Sequence, residues 1–191
     1  MGRDLMRQEE IRALVRDAYR VAEGSSRGVA ERLYGADELA GVPAVAVDHA
    51  LGVGNHLRVA DLRAGDTVLD LGSGAGIDAL LAAGRVGPTG RVIALDFLPE
   101  MLARTRAAAR EAALDNIDTV EAEMEAIPLP DESVDHVISN GTINLSPRKR
   151  RVLAECARVL RPEGRLTVAD VTVQEEELPP EILTHPAAWA G

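Results

Sequence analysis

Two carboxylates and three alternating glycines are the residues of this sequence whose types and spacing suggest ligand chemistry. Gly72, Gly74 and Gly76 follow the apolar run that contains Asp70, and Asp96 ends a second apolar run. Glycine tolerates unusual backbone angles and lets a ligand come close to main-chain N–H groups. Carboxylates beside such a loop accept hydrogen bonds from hydroxyl groups and attract positive charge. The pattern therefore predicts a cradle for a nucleotide-like ligand.

The elements that must position these residues are a strand, a tight loop and a helix. A short apolar run precedes the glycines, and apolar residues recur at helical spacing from Ile77 onwards. The dinucleotide fingerprint places glycine or alanine three residues after its second glycine, where this sequence has Ile77. Asp70 would also repel a pyrophosphate. A nicotinamide-dependent oxidoreductase is therefore a distant alternative.

A cofactor that carries ammonium and sulfonium charges suits this loop, and S-adenosylmethionine is such a cofactor. Asp70 is expected to face these charges, and Asp96 is placed to accept hydrogen bonds from both ribose hydroxyls. Phe97, the only phenylalanine, is expected against the adenine, with plain core packing as the alternative. The other residues expected to bind the cofactor around this loop are Gly72, Ser73, Gly74 and Gly76.

Several segments resemble those of class I S-adenosylmethionine-dependent methyltransferases, and most of all those of the arsenite methyltransferase family. The segments are DLGSGAGID (70–78), GPTGRVIALD (87–96), LPEML (98–102), EAIPLPDESVD (125–135), VISNGTINLSP (137–147) and RVLRPEGRLTVADV (158–171). The resemblance implies an α/β fold with a doubly wound parallel sheet in the strand order 3-2-1-4-5. It also implies transfer of a methyl group to a small-molecule acceptor.

The resemblance assigns further cofactor-binding residues one by one. Glu123 falls where the family accepts the adenine amino group, and Met124 falls where a backbone N–H meets a ring nitrogen; a solvated acidic loop is the alternative. Asn140 falls at the carboxyl edge of the fourth strand, close to the cofactor methyl. Tyr19, on an amphipathic helix predicted for residues 4–22, resembles a tyrosine of the family, and a half-buried packing role is its alternative.

The acceptor side lacks the thiolates of the resembled family. Val53, Gly141 and Ala188 stand where that family has cysteines. Because trivalent arsenic is held by thiolates, we predict an acceptor other than arsenite. The catalytic residue is not identified, and His56, Asn140 and Gly141 are candidates; for His56 the alternative is a surface or first-turn histidine without a catalytic role.

The chain is expected to form a single methyltransferase-like domain. Residues 1–62 would be an N-terminal helical cap, 63–173 the cofactor-binding core with its fifth strand at 165–173, and 174–191 a tail. The family's C-terminal antiparallel hairpin is expected to be missing. The exposed edge of the fifth strand then predicts a homodimer or a separate partner chain. An alternative function is a non-catalytic S-adenosylmethionine-binding scaffold or regulatory half.

Composition excludes several classes of protein. The net charge is −10, aromatic residues make up 2%, and Lys149 is the only lysine, so a nucleic-acid partner is not expected. No run of apolar residues is long enough to cross a membrane, which predicts a cytoplasmic protein. Cys156 is the only cysteine, so neither an intrachain disulfide nor a metal site is expected. Frequent arginine and alanine suggest a bacterial source.

Overall fold

The computed structural model describes residues 26–172, together with Ala13 and Arg16. The chain divides into two compact units, and the unit described below comprises residues 25–170. Ala13 and Arg16 are helical, and the rest of the predicted helix at 4–22, with Tyr19, lies outside the described residues, as do the tail from 174 and Ala188. The division of the whole chain into cap, core and tail stays a prediction.

In the described part of the chain, five parallel strands form one sheet in the order β3-β2-β1-β4-β5, which confirms the predicted strand order. The strands are β1 (Thr67–Leu71), β2 (Arg91–Asp96), β3 (Ile117–Glu121), β4 (Val134–Asn140) and β5 (Leu160–Ala169). The central strands β1, β2 and β4 are buried over nearly their whole length because helices cover both faces of the sheet. Their nearly continuous apolar runs are typical of buried parallel strands.

Helices precede the sheet and connect its strands. The helices within residues 26–172 are α1 (Arg27–Leu33), α2 (Ala36–Leu39), α3 (Ala44–Val47), α4 (Ile77–Val86), α5 (Pro99–Glu111) and α6 (Lys149–Val159), and short 3-10 turns lie at His56–Arg58 and Ile143–Leu145. None of the helices that the structure describes is long and apolar enough to cross a membrane.

Alternate residues of the central strands supply two separate core layers. Leu69 of β1 belongs to the layer that α6 covers with Cys156, whereas Val68 belongs to the layer that α4 covers with Ala79. The Cys156 side chain is 0% exposed, and burial raises the pKa of its thiol to about 11. Cys156 therefore acts as a small apolar packing residue of this layer.

The start of β5 differs from the prediction. The strand begins at Leu160, not at 165, because Val134 pairs with Leu160 before the register shifts and His136 pairs with Arg165. Glu163 adopts a positive φ of 69° within this irregular stretch. The segment RPEG at 161–164 is therefore a bulged part of the strand.

Candidate cofactor and acceptor site

The loop between β1 and α4 needs its glycines for two different reasons. Gly72, Gly74 and Gly76 have φ values of +77°, +53° and +90°, which other residues rarely adopt. A Cβ on Gly72 would lie 2.5 Å from the Thr142 side chain, and one on Gly76 would lie 2.8 Å from the Thr105 side chain. A Cβ on Gly74 would meet no described atom within 4 Å. Gly74 therefore borders open space, where a ligand can reach the backbone.

Hydrogen bonds hold this loop against the neighbouring strand and helix. The backbone N–H groups of Gly72 and Ser73 both donate to the Leu95 carbonyl, at 2.8 and 2.9 Å. The Thr105 hydroxyl on α5 donates to the Gly74 carbonyl at 2.9 Å. The Gly74 N–H donates to the Asp96 carboxylate at 2.9 Å. The loop is thus fixed in shape by the protein's own groups.

Asp70 is a buried carboxylate with unused hydrogen-bonding capacity. It is 2% exposed, and its Oδ2 atom has no hydrogen-bond partner among the described residues. Burial raises the pKa of Asp70 well above its usual range, and the nearby carboxylates of Asp78 and Asp96 raise it further, whereas a hydrogen bond from the Ala79 N–H opposes the shift. The buried Ser73 hydroxyl also has no partner within this part of the chain. These groups suit a ligand that brings positive charge and donors.

Asp96 ends β2 and lies beside the loop, as predicted. Its two carboxylate oxygens accept hydrogen bonds from the Gly74 and Leu98 N–H groups, both at 2.9 Å. Burial raises the pKa of Asp96, and these backbone hydrogen bonds oppose the shift. Each carboxylate oxygen can accept more than one hydrogen bond, so capacity remains for a ribose diol.

The residues assigned to the adenine lie at the same edge of the sheet. Phe97 is half-buried directly after β2. The Ala122 N–H donates to the Asp96 carbonyl at 3.1 Å, which brings the segment after β3 to the end of β2. Glu123 is exposed in this segment, and Met124 is half-buried against the α6 side of the core. This arrangement is compatible with the predicted adenine contacts.

Asn140 ends β4 inside a buried hydrogen-bond network that the sequence did not predict. The Tyr34 hydroxyl donates to Asp78 Oδ1 at 2.7 Å. The Asn140 amide donates to Asp78 Oδ2 at 3.0 Å and lies 3.2 Å from the Tyr34 hydroxyl. Burial, followed by the Asp78 carboxylate, raises the pKa of Tyr34 far above its usual range. Asp78 follows the glycine loop and could have been suspected from its position, but no local signal marks Tyr34.

Asn140 also holds the loop at residues 51–54 against the end of β4. Its side-chain oxygen accepts hydrogen bonds from the Val53 and Gly54 N–H groups, at 2.9 and 3.2 Å. Its NH₂ group donates to the Gly54 carbonyl at 2.8 Å. A Cβ on Gly141 would lie 3.2 Å from Val53 Cγ1. Two of the positions where the resembled family has cysteines are therefore neighbours.

His56 follows this loop in the chain and is the first residue of a 3-10 turn. It is 3% exposed, so the first-turn interpretation agrees with the structure and the surface interpretation does not. Neither ring nitrogen has a hydrogen-bond partner among the residues described. Burial lowers the pKa of His56, and the Asp78 carboxylate opposes the shift.

The sheet order, the glycine loop and the buried carboxylates together define a Rossmann-like nucleoside-cofactor-binding protein of the methyltransferase type. A family model described as a methyltransferase domain matches residues 62–190, and the chain belongs to this family.

Similar proteins agree with this assignment. An arsenite methyltransferase of Halobacterium salinarum is 44% identical over 84% of this chain and 41% of its own length. A demethylmenaquinone methyltransferase of Listeria monocytogenes is 32% identical over 61% of this chain and 49% of its own length. The chain thus spans less than half the length of these relatives.

Solved structures show the same fold. An arsenic (III) S-adenosylmethionine methyltransferase from Chlamydomonas reinhardtii matches 80% of this chain and 53% of its own, with 37% identity and a TM-score of 0.72. A Haloferax volcanii putative methyltransferase in complex with the Trm112 activator matches 59% of this chain and 48% of its own, with 30% identity and a TM-score of 0.53. The chain belongs to the class I S-adenosylmethionine-dependent methyltransferase family and resembles its arsenite-specific members most. The predicted family and cofactor are confirmed.

Proposed function

We propose that this protein transfers the methyl group of S-adenosylmethionine to a small molecule other than arsenite. The observation that carries the proposal is the open side of the loop at Gly74, beside the buried carboxylates of Asp70 and Asp96. This combination offers close backbone approach and negative charge to one ligand. We infer that the acceptor lies at the end of β4, next to Gly141 and Val53.

The chain's own residues have the task of binding and orienting. When bound, S-adenosylmethionine supplies a methyl group activated by its sulfonium charge. Asp70 and Ser73 would hold the charged amino-acid end, and Asp96 would accept the ribose hydroxyls. Glu123 and Met124 would meet the adenine, with Phe97 (half-buried) against the ring. Methyl transfer needs an acceptor held in line with the leaving sulfur, so positioning can supply much of the rate without a general base.

Arsenite is the acceptor named for two of the similar proteins, and the acceptor side of this chain argues against it. Val53 and Gly141 lie together at the end of β4 and offer no sulfur. Cys156, the only cysteine of the sequence, is buried under the sheet. A soft metalloid needs thiolate ligands.

With arsenite, glutathione and S-adenosylmethionine, we expect no methylated arsenic above the protein-free background, and the Chlamydomonas reinhardtii enzyme serves as positive control. Methylated arsenic above that background would overturn this part of the proposal.

Ligand binding followed by an acceptor screen tests the proposed function. S-adenosylmethionine and S-adenosylhomocysteine should raise the melting temperature, whereas NADH should not. A panel of small carbon, nitrogen, oxygen and sulfur nucleophiles should then yield at least one acceptor that produces S-adenosylhomocysteine. Stabilisation by NADH alone would favour the oxidoreductase alternative.

We expect the protein in the cytoplasm, and fractionation of the source cells would test this location.

A partner-dependent scaffold is the second candidate function. Leu166 and Val168 are 37% and 40% exposed on β5, which is the outermost strand among the described residues, and such an edge favours pairing with another chain. The Haloferax volcanii structure is itself a complex with an activator. A homodimer or separate partner chain over β5 would support this candidate. Sedimentation as a monomer at micromolar concentration, together with methyl transfer by the purified chain, would reject it.

A further inference from the structure

Helix α6 binds the backbone of residues 125–131, which follow the segment assigned to the adenine. The Arg158 guanidinium donates to the Ile127 and Leu129 carbonyls, both at 2.8 Å. It also donates to the Asp131 carboxylate at 2.7 Å. One side chain thus fixes three points of a segment that contains neither helix nor strand.

Glu155 completes this arrangement from one turn earlier on α6. Its buried carboxylate accepts hydrogen bonds from the Ile127 N–H at 3.0 Å and from the Arg158 guanidinium at 2.8 Å. The Arg158 hydrogen bond lowers the pKa of Glu155, so the pair is ionised at neutral pH. Both backbone polar groups of Ile127 are therefore bound by one ion pair, which replaces the strand partner that this backbone lacks.

The start of this segment, at Glu125, is also held by side-chain hydrogen bonds. The Ser146 hydroxyl donates to the buried Glu125 carboxylate at 2.6 Å. The Arg151 guanidinium donates to the Glu125 carbonyl at 3.1 Å. The Ala126 N–H donates to the Glu123 carbonyl at 3.0 Å, so the bound segment is connected directly to the residue assigned to the adenine amino group.

We propose that the Glu155–Arg158 pair is a positioning device for the cofactor, which holds residues 125–131 so that Glu123 and Met124 can meet the adenine. The inference rests on the proposed function, because it takes the adenine contacts from there. Without the pair, the segment must be ordered by the ligand itself, and that ordering lowers affinity. The affinity is lost at the adenine contacts, and the contacts to the amino-acid end of the cofactor are unchanged.

The test compares binding of S-adenosylhomocysteine with binding of its inosine analogue, whose base lacks the exocyclic amino group. Calorimetry on the wild type should show a preference for the adenine form. Arg158→Met keeps the aliphatic stem and removes the donors. We expect it to bind S-adenosylhomocysteine about tenfold more weakly, as the loss of one or two hydrogen bonds implies, and to lose most of the preference. Arg161→Met is the matched control, because Arg161 binds Asp135 at the start of β4.

The preference for adenine separates positioning from simple stabilisation. A purely structural Arg158 would lower the melting temperature and leave the ratio of the two affinities unchanged, and that result would overturn the inference. If Arg158→Met does not fold, Arg158→Lys keeps one donor and should show a smaller loss of the same ratio; an unchanged ratio there also rejects the inference. Failure of the wild type to bind S-adenosylhomocysteine would instead reject the proposed function, and the inference with it.

Discussion

At the scale of a single residue, the burial of Asp70 bears most directly on the proposed binding of a cationic cofactor. A carboxylate that is 2% exposed and faces two further buried carboxylates is costly to ionise. A ligand with ammonium and sulfonium groups removes that cost, because each positive charge favours the ionised form. If the cofactor binds as proposed, its binding and the binding of a proton at Asp70 oppose each other.

This opposition predicts a pH-dependent affinity. The pKa of Asp70 is raised by burial in the free protein, so the carboxyl keeps its proton above the usual value of about 3.9. Bound cation lowers that pKa, so binding should release protons, and affinity should rise with pH until Asp70 is ionised in the free protein as well. Without ligand, the stability that the protonated carboxyl contributes is lost as pH rises through the raised pKa.

Calorimetry in two buffers with different ionisation enthalpies measures the protons released when S-adenosylmethionine binds. Asp70→Asn should release fewer protons and bind more weakly. An affinity that stays constant from acidic to neutral pH, with no proton exchange, would contradict the assignment of Asp70 to the charged end of the cofactor.

Asp96 gives the second prediction at this scale. Asp96→Ala should weaken S-adenosylmethionine binding by about tenfold to a hundredfold, since a lost hydrogen bond to a charged group costs about 1.5–3 kcal/mol. The same change frees the Gly74 N–H, which adds to the loss. Asp118→Ala is the control, because Asp118 makes an exposed ion pair with Arg91 on the neighbouring strand. Calorimetric titration with undiminished affinity would remove Asp96 from the site.

At the scale of elements, the glycines of the loop have different tasks: Gly76 allows close packing against α5, and Gly74 leaves room for a ligand. In Gly76→Ala, the alanine must adopt the positive φ of Gly76, and its Cβ crowds the Thr105 side chain. Strain and overpacking together should lower the free energy of unfolding by about 2–5 kcal/mol. Gly74→Ala meets no described side chain, so we expect a loss of about 1–2 kcal/mol from strain alone. Chemical denaturation of the two variants checks the order of these losses.

Cofactor binding distinguishes the same two variants. Gly74→Ala places a methyl group on the open side of the loop and should weaken S-adenosylmethionine binding even where the protein is fully folded. Equal stability of the two variants would contradict the packing role of Gly76, and full affinity in Gly74→Ala would contradict the role of Gly74 in cofactor access.

The elements near the site differ in how far their sequence predicts them. The strands and the loop follow from apolar runs and from glycines at 72, 74 and 76, which are local signals. The order of the strands in the sheet is implied by the resemblance to a known family. The bulge in β5 depends on pairing with Val134, which no local pattern contains. The Tyr34 contact with Asp78 and the Arg158 contacts with residues 127 and 129 join positions 44 and about 30 residues apart. Such side-chain bonds appear only once the helices have packed.

At the scale of the whole molecule, the charge of the chain should affect cofactor and product differently. The net charge is −10, and S-adenosylmethionine carries a sulfonium charge that S-adenosylhomocysteine lacks. Raising the ionic strength from about 0.05 M to about 0.5 M screens charges at distances beyond the site itself. We expect the affinity for S-adenosylmethionine to fall more than that for S-adenosylhomocysteine. If both affinities depend equally on salt in parallel titrations, the net charge of the protein does not contribute to the preference for S-adenosylmethionine over S-adenosylhomocysteine.

The burial of Cys156 provides a chemical reporter of opening. A thiol that is 0% exposed, with its pKa raised to about 11, cannot react with an alkylating reagent while α6 is packed on the sheet. Because the sequence contains one cysteine, every alkylated molecule records the detachment of that helix. The same helix carries Glu155 and Arg158, so detachment also releases residues 125–131. The alkylation rate with and without S-adenosylmethionine would therefore report, in unlabelled wild-type protein, how strongly the cofactor resists this local unfolding.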